Sequence, residues 1–416
     1  MLNKLNLKPW ITFLIALAVF ASWVSQSVLD LATSLIAILA LITLVSPTTR
    51  LEVFDNKNLN RVFPWMLGYF VVACLGYYFN GRPGADVVFC LTRFSWILLL
   101  YVLTWSMRYI DLQSKSVKVF FYILLLPALY GFNIYFNNGT DILEGKGTEG
   151  RIIGIVQSAT YHSHIGAFFV VAIFSWLYLQ YYNSYKTEFK KALFSEKTLH
   201  WLVAITVFLS VFFSKTRGAL LSIIICLCLL FWFKHRAQFL KFVMAPLAVV
   251  AVLFVLFTPV KDFIYRKQGD NCRVVLALVH VEMVKSYPWF GIGYRDNMRQ
   301  IADFWPERLI TPECDSGRIE GSQAHNQLLN VAATTGLLGL LTYLGIVIYF
   351  FIFNIRWYRK DHSDLALTCL LAQVYFQLSC LTEITFEFAK IRVLLLVIWA
   401  LVATRAPQEP FQKKFN

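Results

Sequence analysis

Two short polar stretches stand between long apolar runs in this sequence, and their residue types suit a charged substrate. The first is the basic tetrapeptide Lys215-Thr216-Arg217-Gly218, and the second is His325-Asn326. Charged groups at the ends of apolar segments are costly to keep in a bilayer, so those that occur there usually bind a substrate or an ion. The two stretches therefore indicate chemistry on a charged substrate at a membrane surface.

Arg217 and Arg273 have the chemistry of an anion site. A guanidinium group donates two parallel hydrogen bonds to one phosphate, and the tight turn before Arg217 holds it close to the neighbouring spans. Arg273 begins a predicted helix in the next long loop, so together the two are able to bind both phosphates of a lipid diphosphate. Arg273 as a solvated loop charge is the plainer alternative. Lys215 is better described as a side chain that only extends its charged group to the membrane interface.

His325 is the predicted general base. It follows the flexible stretch 321–324 and stands at the start of a predicted helix. An imidazole accepts a proton near neutral pH, so it suits the activation of a hydroxyl group. Asn326 is expected to orient that ring or to hydrogen-bond a sugar. An ordinary histidine at the membrane interface is the alternative.

Three further polar residues, Arg151, Arg93 and His162, are predicted to support substrate binding. Arg93 lies inside the fourth predicted span, where a charge needs a partner or a polar cavity, so an ion pair and a substrate contact are both open. His162 lies with His164 at the mouth of the sixth predicted span. Arg151 precedes that span in an outer loop.

Other polar patterns in the chain do not predict a cofactor. Residues 145–150 match G-x-G-x-x-G, but they stand between two spans with no strand before them, so a dinucleotide site is rejected. No Cys/His spacing suits zinc, and no Asp-x-Asp pair is present to hold a divalent cation. Glu383 and Glu387 form an acidic pair in the last outer loop, and they are expected to pair with Lys390 or with the basic site.

The composition predicts an all-α polytopic membrane protein. Of 416 residues, 58% are hydrophobic and 15% are charged, and the apolar residues are gathered in runs near the length that crosses a bilayer. The runs are continuous and do not alternate with period two, which disfavours a transmembrane barrel. The net charge of +14 is concentrated in alternate loops, as the positive-inside rule requires, and no soluble basic domain is available for nucleic acid.

The apolar runs predict twelve transmembrane helices and one long outer loop. Spans 1–9 fall within residues 1–259, the loop is 260–332, and the last three spans and a tail fall within 333–416. The basic loops place both termini on the cytoplasmic side. The predicted spans are 10–25, 28–46, 63–80, 86–107, 119–136, 160–182, 200–213, 219–233, 242–259, 333–354, 365–382 and 390–405.

The long loop 260–332 is predicted to contain short helices. Residues Arg273 to Tyr287 carry one apolar stripe at helical spacing and are expected to lie along the membrane surface. Residues 324–335 are predicted to form a short helix that enters the tenth span. Cys272 and Cys314 are the two cysteines outside the spans. If the loop faces an oxidising compartment they are able to form a disulfide; two free thiols are the alternative.

In their order and spacing these motifs resemble the O-antigen ligase superfamily, which includes O-antigen ligases, O-antigen polymerases and protein O-oligosaccharyltransferases. The matching elements are Ser214–Gly218, an Arg-led helix from Arg273 that ends in Pro-x-x-Gly-x-Gly at Gly293, and the His-Asn to Gly-x-x-Gly segment His325–Gly339. Arg151–Gly154 resembles an earlier Arg-x-x-Gly element of the family, although the Asn that often follows it is absent.

The resemblance implies a glycosyltransferase of the O-antigen ligase type with a GT-C-like membrane fold. It implies an undecaprenyl-diphosphate-linked glycan as donor, a sugar hydroxyl of lipid A-core as acceptor, and an inverting reaction that uses no metal and no cofactor. The site would face the periplasm from the bacterial inner membrane, in lipopolysaccharide biosynthesis. His325 and Arg217 would be catalytic. The predicted substrate-binding residues are Arg273, Lys215, Arg151, Asn326, Arg93 and His162.

Two other functions stay open. An O-antigen polymerase or a protein O-oligosaccharyltransferase would use the same donor chemistry, and the presence of one long basic outer loop rather than two favours the ligase. A polysaccharide transporter or flippase belongs to a different class. It would be supported by interrupted spans in two matching halves of the chain, and the sequence has no such halves.

Overall fold

In the computed structural model the described part of the chain is mostly helical. It describes residues 7–44, 56–79, 85–112, 114–137, 152, 155, 158–192, 196–236, 239, 267–293, 301–305 and 323–407. Within these ranges, only the backbone is described at 43–44, 85–93, 181–192, 196–197, 267–271 and 302.

The described residues form thirteen α-helices, two short 3₁₀ turns and no strand. The 3₁₀ turns are Ile301–Phe304 and Thr385–Glu387. The helices are α1 (Leu7–Val24), α2 (Gln26–Leu44), α3 (Lys57–Phe79), α4 (Ala85–Ser106), α5 (Lys115–Ile123), α6 (Leu125–Asn137), α7 (Ala159–Ala192), α8 (Glu196–Phe213), α9 (Arg217–Lys234), α10 (Lys267–Ser286), α11 (Gln327–Asp361), α12 (Asp364–Cys380) and α13 (Ala389–Arg405).

The prediction of an all-α membrane protein is confirmed in its coarse form. Eleven of the twelve predicted spans overlap described helices, although the span at 119–136 is divided between α5 and α6; the span at 242–259 lies outside the described residues. Within the described residues, six helical segments are long and apolar enough to cross a membrane. The count of twelve and the GT-C-like arrangement therefore stay predictions.

Helix α8 illustrates why these helices suit a lipid environment. Leu202, Leu209 and Phe212 lie on its exposed face, while Val203 and Val207 on the other face are fully buried. A helix that is apolar on both its buried and its exposed sides is typical of a membrane span, because the exposed side meets lipid rather than water. The interior is closed by large rings, such as Phe350 stacked on Trp399 with ring centroids 4.4 Å apart.

Side-chain contacts define two ends of the helix bundle. At one end, Asn56 and Asn58 both donate from Nδ2 to the Ala403 carbonyl at 3.1 Å, and Lys234 forms an ion pair with Asp364 at 2.9 Å. We name this the opposite end. It joins the starts of α3 and α12 to the ends of α9 and α13.

The other end, which we name the site end, gathers the polar stretches of the sequence. Thr216, just before α9, donates from Oγ1 to the Ala159 carbonyl at the start of α7 at 3.5 Å. Asn326, just before α11, donates from Nδ2 to the Leu381 carbonyl after α12 at 3.3 Å. The basic turn and the His-Asn pair, far apart in the chain, therefore lie at one end of the bundle.

Helix α11 is broken at Gly336, which the apolar pattern does not reveal. Gly336 has φ 71° and ψ −176°, a conformation that L side chains rarely adopt. A Cβ placed there would lie 2.2 Å from the Trp289 carbonyl oxygen, so only glycine fits. The predicted short helix at 324–335 is thus the first segment of α11, before the break.

The turn at residues 288–293 fills this break by an exchange of backbone hydrogen bonds. In an unbroken helix the Leu337 and Leu338 N–H groups would bond to the Ala333 and Thr334 carbonyls. Instead they donate to the turn, while the two carbonyls accept from it. The four bonds are Leu337 N to Pro288 O at 2.8 Å, Leu338 N to Trp289 O at 3.4 Å, Ile292 N to Ala333 O at 3.0 Å and Gly293 N to Thr334 O at 3.1 Å.

This exchange fixes α10, which ends at the turn, against α11. The predicted helix at Arg273 to Tyr287 is confirmed, but it begins six residues earlier, at Lys267, so Arg273 lies in its second turn rather than at its start. Val279 and Met283 on α10 are fully buried in a small apolar cluster with Ile292 and Ala333. The helix that carries Arg273 and the helix that follows His325 are thereby held in one register.

Candidate active site

The candidate site is organised around Glu383, in the loop at 381–388 between α12 and α13. Its Oε1 accepts a hydrogen bond from Arg273 Nη2 at 2.8 Å, and its Oε2 lies 2.8 Å from His325 Nδ1. The Glu383 side chain is 7% exposed, whereas Arg273 is 44% and His325 is 34% exposed. A buried carboxylate therefore holds two cation-forming side chains that reach the surface.

The electrostatics keep Glu383 ionised. Burial alone would raise the pKa of this carboxyl group, because a charge is poorly solvated in the interior. The hydrogen bond and charge of His325, together with Arg273, outweigh burial and lower the pKa below its usual 4.5. The ionised Oε2 accepts the proton on His325 Nδ1, and that tautomer leaves Nε2 as the basic nitrogen.

The backbone around His325 is fixed by its neighbours. His325 has φ 47°, in the left-handed region, immediately before Asn326 at the N-cap of α11. Asn326 Oδ1 accepts from Leu329 N at 3.0 Å, and its Nδ2 donates to Leu381 as described above. Asn326 is expected from the sequence to orient the imidazole or to bind a sugar, but the contact that orients the ring comes from Glu383. Asn326 caps α11 and joins it to the loop that carries Glu383.

Gln327 adds a second tie to the same loop. Its side chain is fully buried, and its Oε1 accepts from the Phe386 backbone N–H at 3.2 Å. With Asn326 bound to Leu381, both ends of the loop at 381–388 are hydrogen-bonded to the first residues of α11. This arrangement places the carboxylate of Glu383 opposite the imidazole that it holds.

His280, also on α10, is buried close to His325. Burial lowers its pKa from 6.5 to about 4, and the positive charge of His325 acts in the same direction, whereas its hydrogen bond to the Leu276 carbonyl opposes the shift. The Nδ1 atom lies 2.7 Å from that carbonyl oxygen. His280 is therefore neutral near pH 7 and serves the packing of α10 rather than the chemistry.

Arg217 reaches the same end of the bundle as the first residue of α9. Lys215 is exposed with φ 53° and makes the tight turn that the sequence predicts. Gly218 packs so closely on Thr382 that an added Cβ would lie 2.6 Å from Thr382 Oγ1. Because Thr382 directly precedes Glu383, the start of α9 abuts the loop that holds the carboxylate, and Arg217 is half-buried beside it.

The remaining predicted residues are placed differently. His162 is fully buried in the core and accepts a hydrogen bond from Trp23 Nε1 at 3.2 Å, so its predicted role in substrate binding stays a prediction. Arg151 and the side chain of Arg93 lie outside the described residues. The neighbour of Arg151, Ile152, donates to the Phe213 carbonyl at 3.3 Å, close to the basic turn.

The described residues decide part of what the sequence predicts for the acidic pair and the cysteines. Glu383 pairs with the basic site and not with Lys390, which makes no hydrogen bond or ion pair with any described residue. Cys272 is disulfide-bonded, and none of the other five cysteines with described side chains takes part. The predicted partner, Cys314, lies outside the described residues, so this pairing stays a prediction.

The comparison with protein families matches one segment of the chain. Residues 202–344 match the family described as O-antigen ligase, and this segment contains Arg217, Arg273 and His325 but not Glu383. No curated protein matches the chain. The matched segment is about a third of the chain, and together with the motifs that the fold brings to one end of the bundle it supports the resemblance to the O-antigen ligase superfamily.

Proposed function

We propose that this protein is an O-antigen ligase-type glycosyltransferase that moves a glycan from undecaprenyl diphosphate to a sugar hydroxyl of lipid A-core. The family match supports ligase- or polymerase-type function in general. The observation that carries the finer proposal is the His325–Glu383 contact at 2.8 Å, beside Arg273 and at the same end of the bundle as Arg217. A proton acceptor next to guanidinium groups is what transfer from a diphosphate requires.

His325 acts as the general base. Its Nε2 accepts the proton of the acceptor hydroxyl while Nδ1–H stays bonded to Glu383, so the imidazolium that forms faces an ionised carboxylate. The acceptor oxygen attacks the anomeric carbon from the face opposite the diphosphate. The new C–O bond forms as the bond to the diphosphate breaks, and the anomeric configuration inverts.

The arginines stabilise the leaving group. Negative charge grows on the diphosphate as the glycosidic bond breaks, and fixed guanidinium groups stabilise that charge without a metal ion. Arg273 gives one nitrogen to Glu383 and remains 44% exposed, so part of its guanidinium group is accessible to the donor. Arg217 supplies the second cation, and Lys215 adds positive charge at the rim of the turn.

The proposed location follows from the distribution of charge along the chain. Ion pairs and basic residues such as Lys8, Lys234 and Arg405 occur at the opposite end of the bundle, which suits the cytoplasmic side. The site end then faces the periplasm, where a lipid-linked donor and a lipid-anchored acceptor meet in the bilayer. Both termini are cytoplasmic in this arrangement.

The test is transfer by the purified protein from lipid-linked glycan to lipid A-core. We expect product with inverted configuration, no effect of a chelator, and no product from His325→Ala or Arg217→Ala although both variants insert into the membrane. Near-normal product from either variant would remove that residue from the mechanism. Loss of activity on chelation that a divalent ion restores would overturn the metal-free scheme.

The alternative is a polymerase or a protein O-oligosaccharyltransferase, since the same site would serve any hydroxyl acceptor. The identity of the acceptor in the transfer assay distinguishes the ligase from these two alternatives. Product on lipid A-core alone supports the ligase, whereas elongated lipid-linked glycan or glycosylated protein would identify the other two. Substrate movement across the bilayer without transfer would instead identify a flippase.

A further inference from the structure

A pocket of about 230 Å³ lies at the site end of the bundle, between the first turns of α2, α7 and α13. Two aromatic side chains, Tyr161 and Phe388, form one wall with ring centroids 4.2 Å apart. Lys390 is the one charged residue in the lining, which also includes Gln26 and three aliphatic side chains. An aromatic wall with a single cation suits a ligand that has both a ring face and a negative charge.

Lys390 is placed where an anion would stabilise it. It lies in the first turn of α13, where the helix dipole disfavours a positive charge. It is only partly exposed, and among the described residues it has neither an ion pair nor a hydrogen bond. The amide of Gln26 is engaged by Asp30 at 2.7 Å, so the ammonium group of Lys390 is the charged donor that the pocket offers.

Both aromatic residues connect the pocket to the catalytic groups by short stretches of chain. Phe388 ends the loop that carries Glu383, and the five peptide units that join their Cα atoms span at most about 18 Å even when extended. Tyr161 follows Ala159 by two residues, and the Ala159 carbonyl accepts the hydrogen bond from Thr216, next to Arg217. The pocket therefore lies at the site end of the bundle, at the far end of the loop that carries Glu383.

We propose that this pocket binds a phosphorylated sugar of the acceptor glycolipid, so that it is an acceptor subsite. This rests on the proposed function. The donor diphosphate is assigned to Arg217 and Arg273, which leaves a separate anion site for the second substrate. In this subsite Lys390 donates to the sugar phosphate, and a sugar ring lies against Tyr161 and Phe388. An acceptor held there presents a neighbouring hydroxyl to His325.

The decisive measurement is binding, which does not depend on turnover. Purified protein is titrated with lipid A-core before and after removal of its phosphates. The variants are Lys390→Gln, Lys390→Arg and, as a matched control, Lys285→Gln, which alters an exposed lysine paired with Glu282 at 2.9 Å. We expect Lys390→Gln to weaken binding of the phosphorylated lipid by about tenfold or more. The arginine variant and the control should bind normally.

Three results would overturn the proposal. They are equal binding by Lys390→Gln and the unmodified protein, equal binding of phosphorylated and dephosphorylated lipid, and competition by phosphatidylglycerol vesicles as effective as the glycolipid itself. The last would assign the pocket to ordinary phospholipid headgroups, the other source of a lipid phosphate.

Kinetics separate this proposal from the proposed function. In the transfer assay, Lys390→Gln should raise the KM for acceptor about tenfold and leave kcat and the KM for donor unchanged. A raised donor KM would place Lys390 at the diphosphate and contradict the subsite. Absence of transfer by the unmodified protein would contradict the proposed function. The titration with lipid A-core would still show whether the pocket binds the phosphorylated glycolipid.

Discussion

Glu383 is the side chain on which the candidate site depends, because two distant parts of the chain share its carboxylate. Its partners are 110 residues away at Arg273 and 58 residues away at His325. A buried carboxylate is stable only when it is paired and hydrogen-bonded, and here both oxygens have a partner. Removing its charge should therefore affect the base and the anion site together.

Replacing Glu383 by Gln should lower kcat for transfer by roughly a hundredfold or more, because the imidazolium formed in the reaction loses its counter-charge. Single-turnover and steady-state assays would measure this. Glu282→Gln is the matched control, since Glu282 is partly exposed and forms an ion pair with Lys285. If Glu383→Gln turns over normally, His325 has no need of this carboxylate.

Asn326 should contribute to stability more than to chemistry. Its Oδ1 caps α11, so Asn326→Ala should lower the free energy of unfolding by about 1 kcal/mol. Asn326→Ser retains a capping oxygen and should be close to the unmodified protein. Thermal unfolding in detergent would compare the two. An alanine variant that unfolds normally but binds acceptor poorly would instead support the sugar contact expected from the sequence.

Among the helices, the broken α11 and the turn after α10 act as one unit. Two intrahelical hydrogen bonds are replaced by four bonds between the helix and the turn. Gly291 contributes as well, because with φ 69° it lies against the Thr334 backbone, where a Cβ would come within 2.3 Å. The Pro-x-x-Gly-x-Gly and Gly-x-x-Gly motifs thus meet in space, and they set the position of Arg273 relative to His325.

Gly336→Ala should disrupt this unit. The left-handed φ and the overlap with the Trp289 carbonyl together should lower stability by about 2 kcal/mol or more. Transfer activity should fall even in folded protein, because α10 would no longer dock in register. The matched control is Gly68→Ala, whose Cβ would meet only a side-chain methyl of Thr342 at 3.1 Å. Equal melting temperatures for the two variants would contradict a stabilising role for the hydrogen bonds exchanged between α11 and the turn at residues 288–293.

Across the chain, the sequence predicts well which residues come together in the fold. It predicts less well which contacts hold them in place. The motif order places Arg217, Arg273 and His325 on one side of a membrane, and the fold brings their segments to one end. The role of Glu383 could not be chosen from sequence, because Glu387 was equally available and the pairing depends on contacts across 58 and 110 residues. The break at Gly336 is hidden because both segments of α11 are apolar.

The stability of the protein should fall on the acid side of neutrality. Burial lowers the pKa of His280 from its ordinary 6.5 to about 4 in the fold, so the unfolded chain binds a proton first as the pH falls. Stability from this group is complete above pH 6.5 and is lost as the pH falls toward 4, on the order of 3 kcal/mol. Glu383, with a lowered pKa, adds a loss of the same sign below pH 4.5.

Unfolding temperatures measured from pH 7.5 to 4 would check this. His280→Gln keeps a hydrogen-bond donor for the Leu276 carbonyl but cannot gain a proton, so its unfolding temperature should decline less between pH 6.5 and 4 than that of the unmodified protein. The two profiles should run parallel above pH 7. Parallel profiles throughout the range would assign the acid sensitivity to other groups.

The carboxylate of Glu383 is shared by Arg273, the proposed donor-binding cation, and His325, the proposed proton acceptor, and this has a consequence for the order of substrate binding. An arriving diphosphate competes for Arg273 and leaves a larger share of the carboxylate's charge to the imidazole, which then becomes a stronger base. We expect the donor to bind before the acceptor, so that the hydroxyl group is activated only when a leaving group is present. Product-inhibition patterns with random binding order would contradict this coupling.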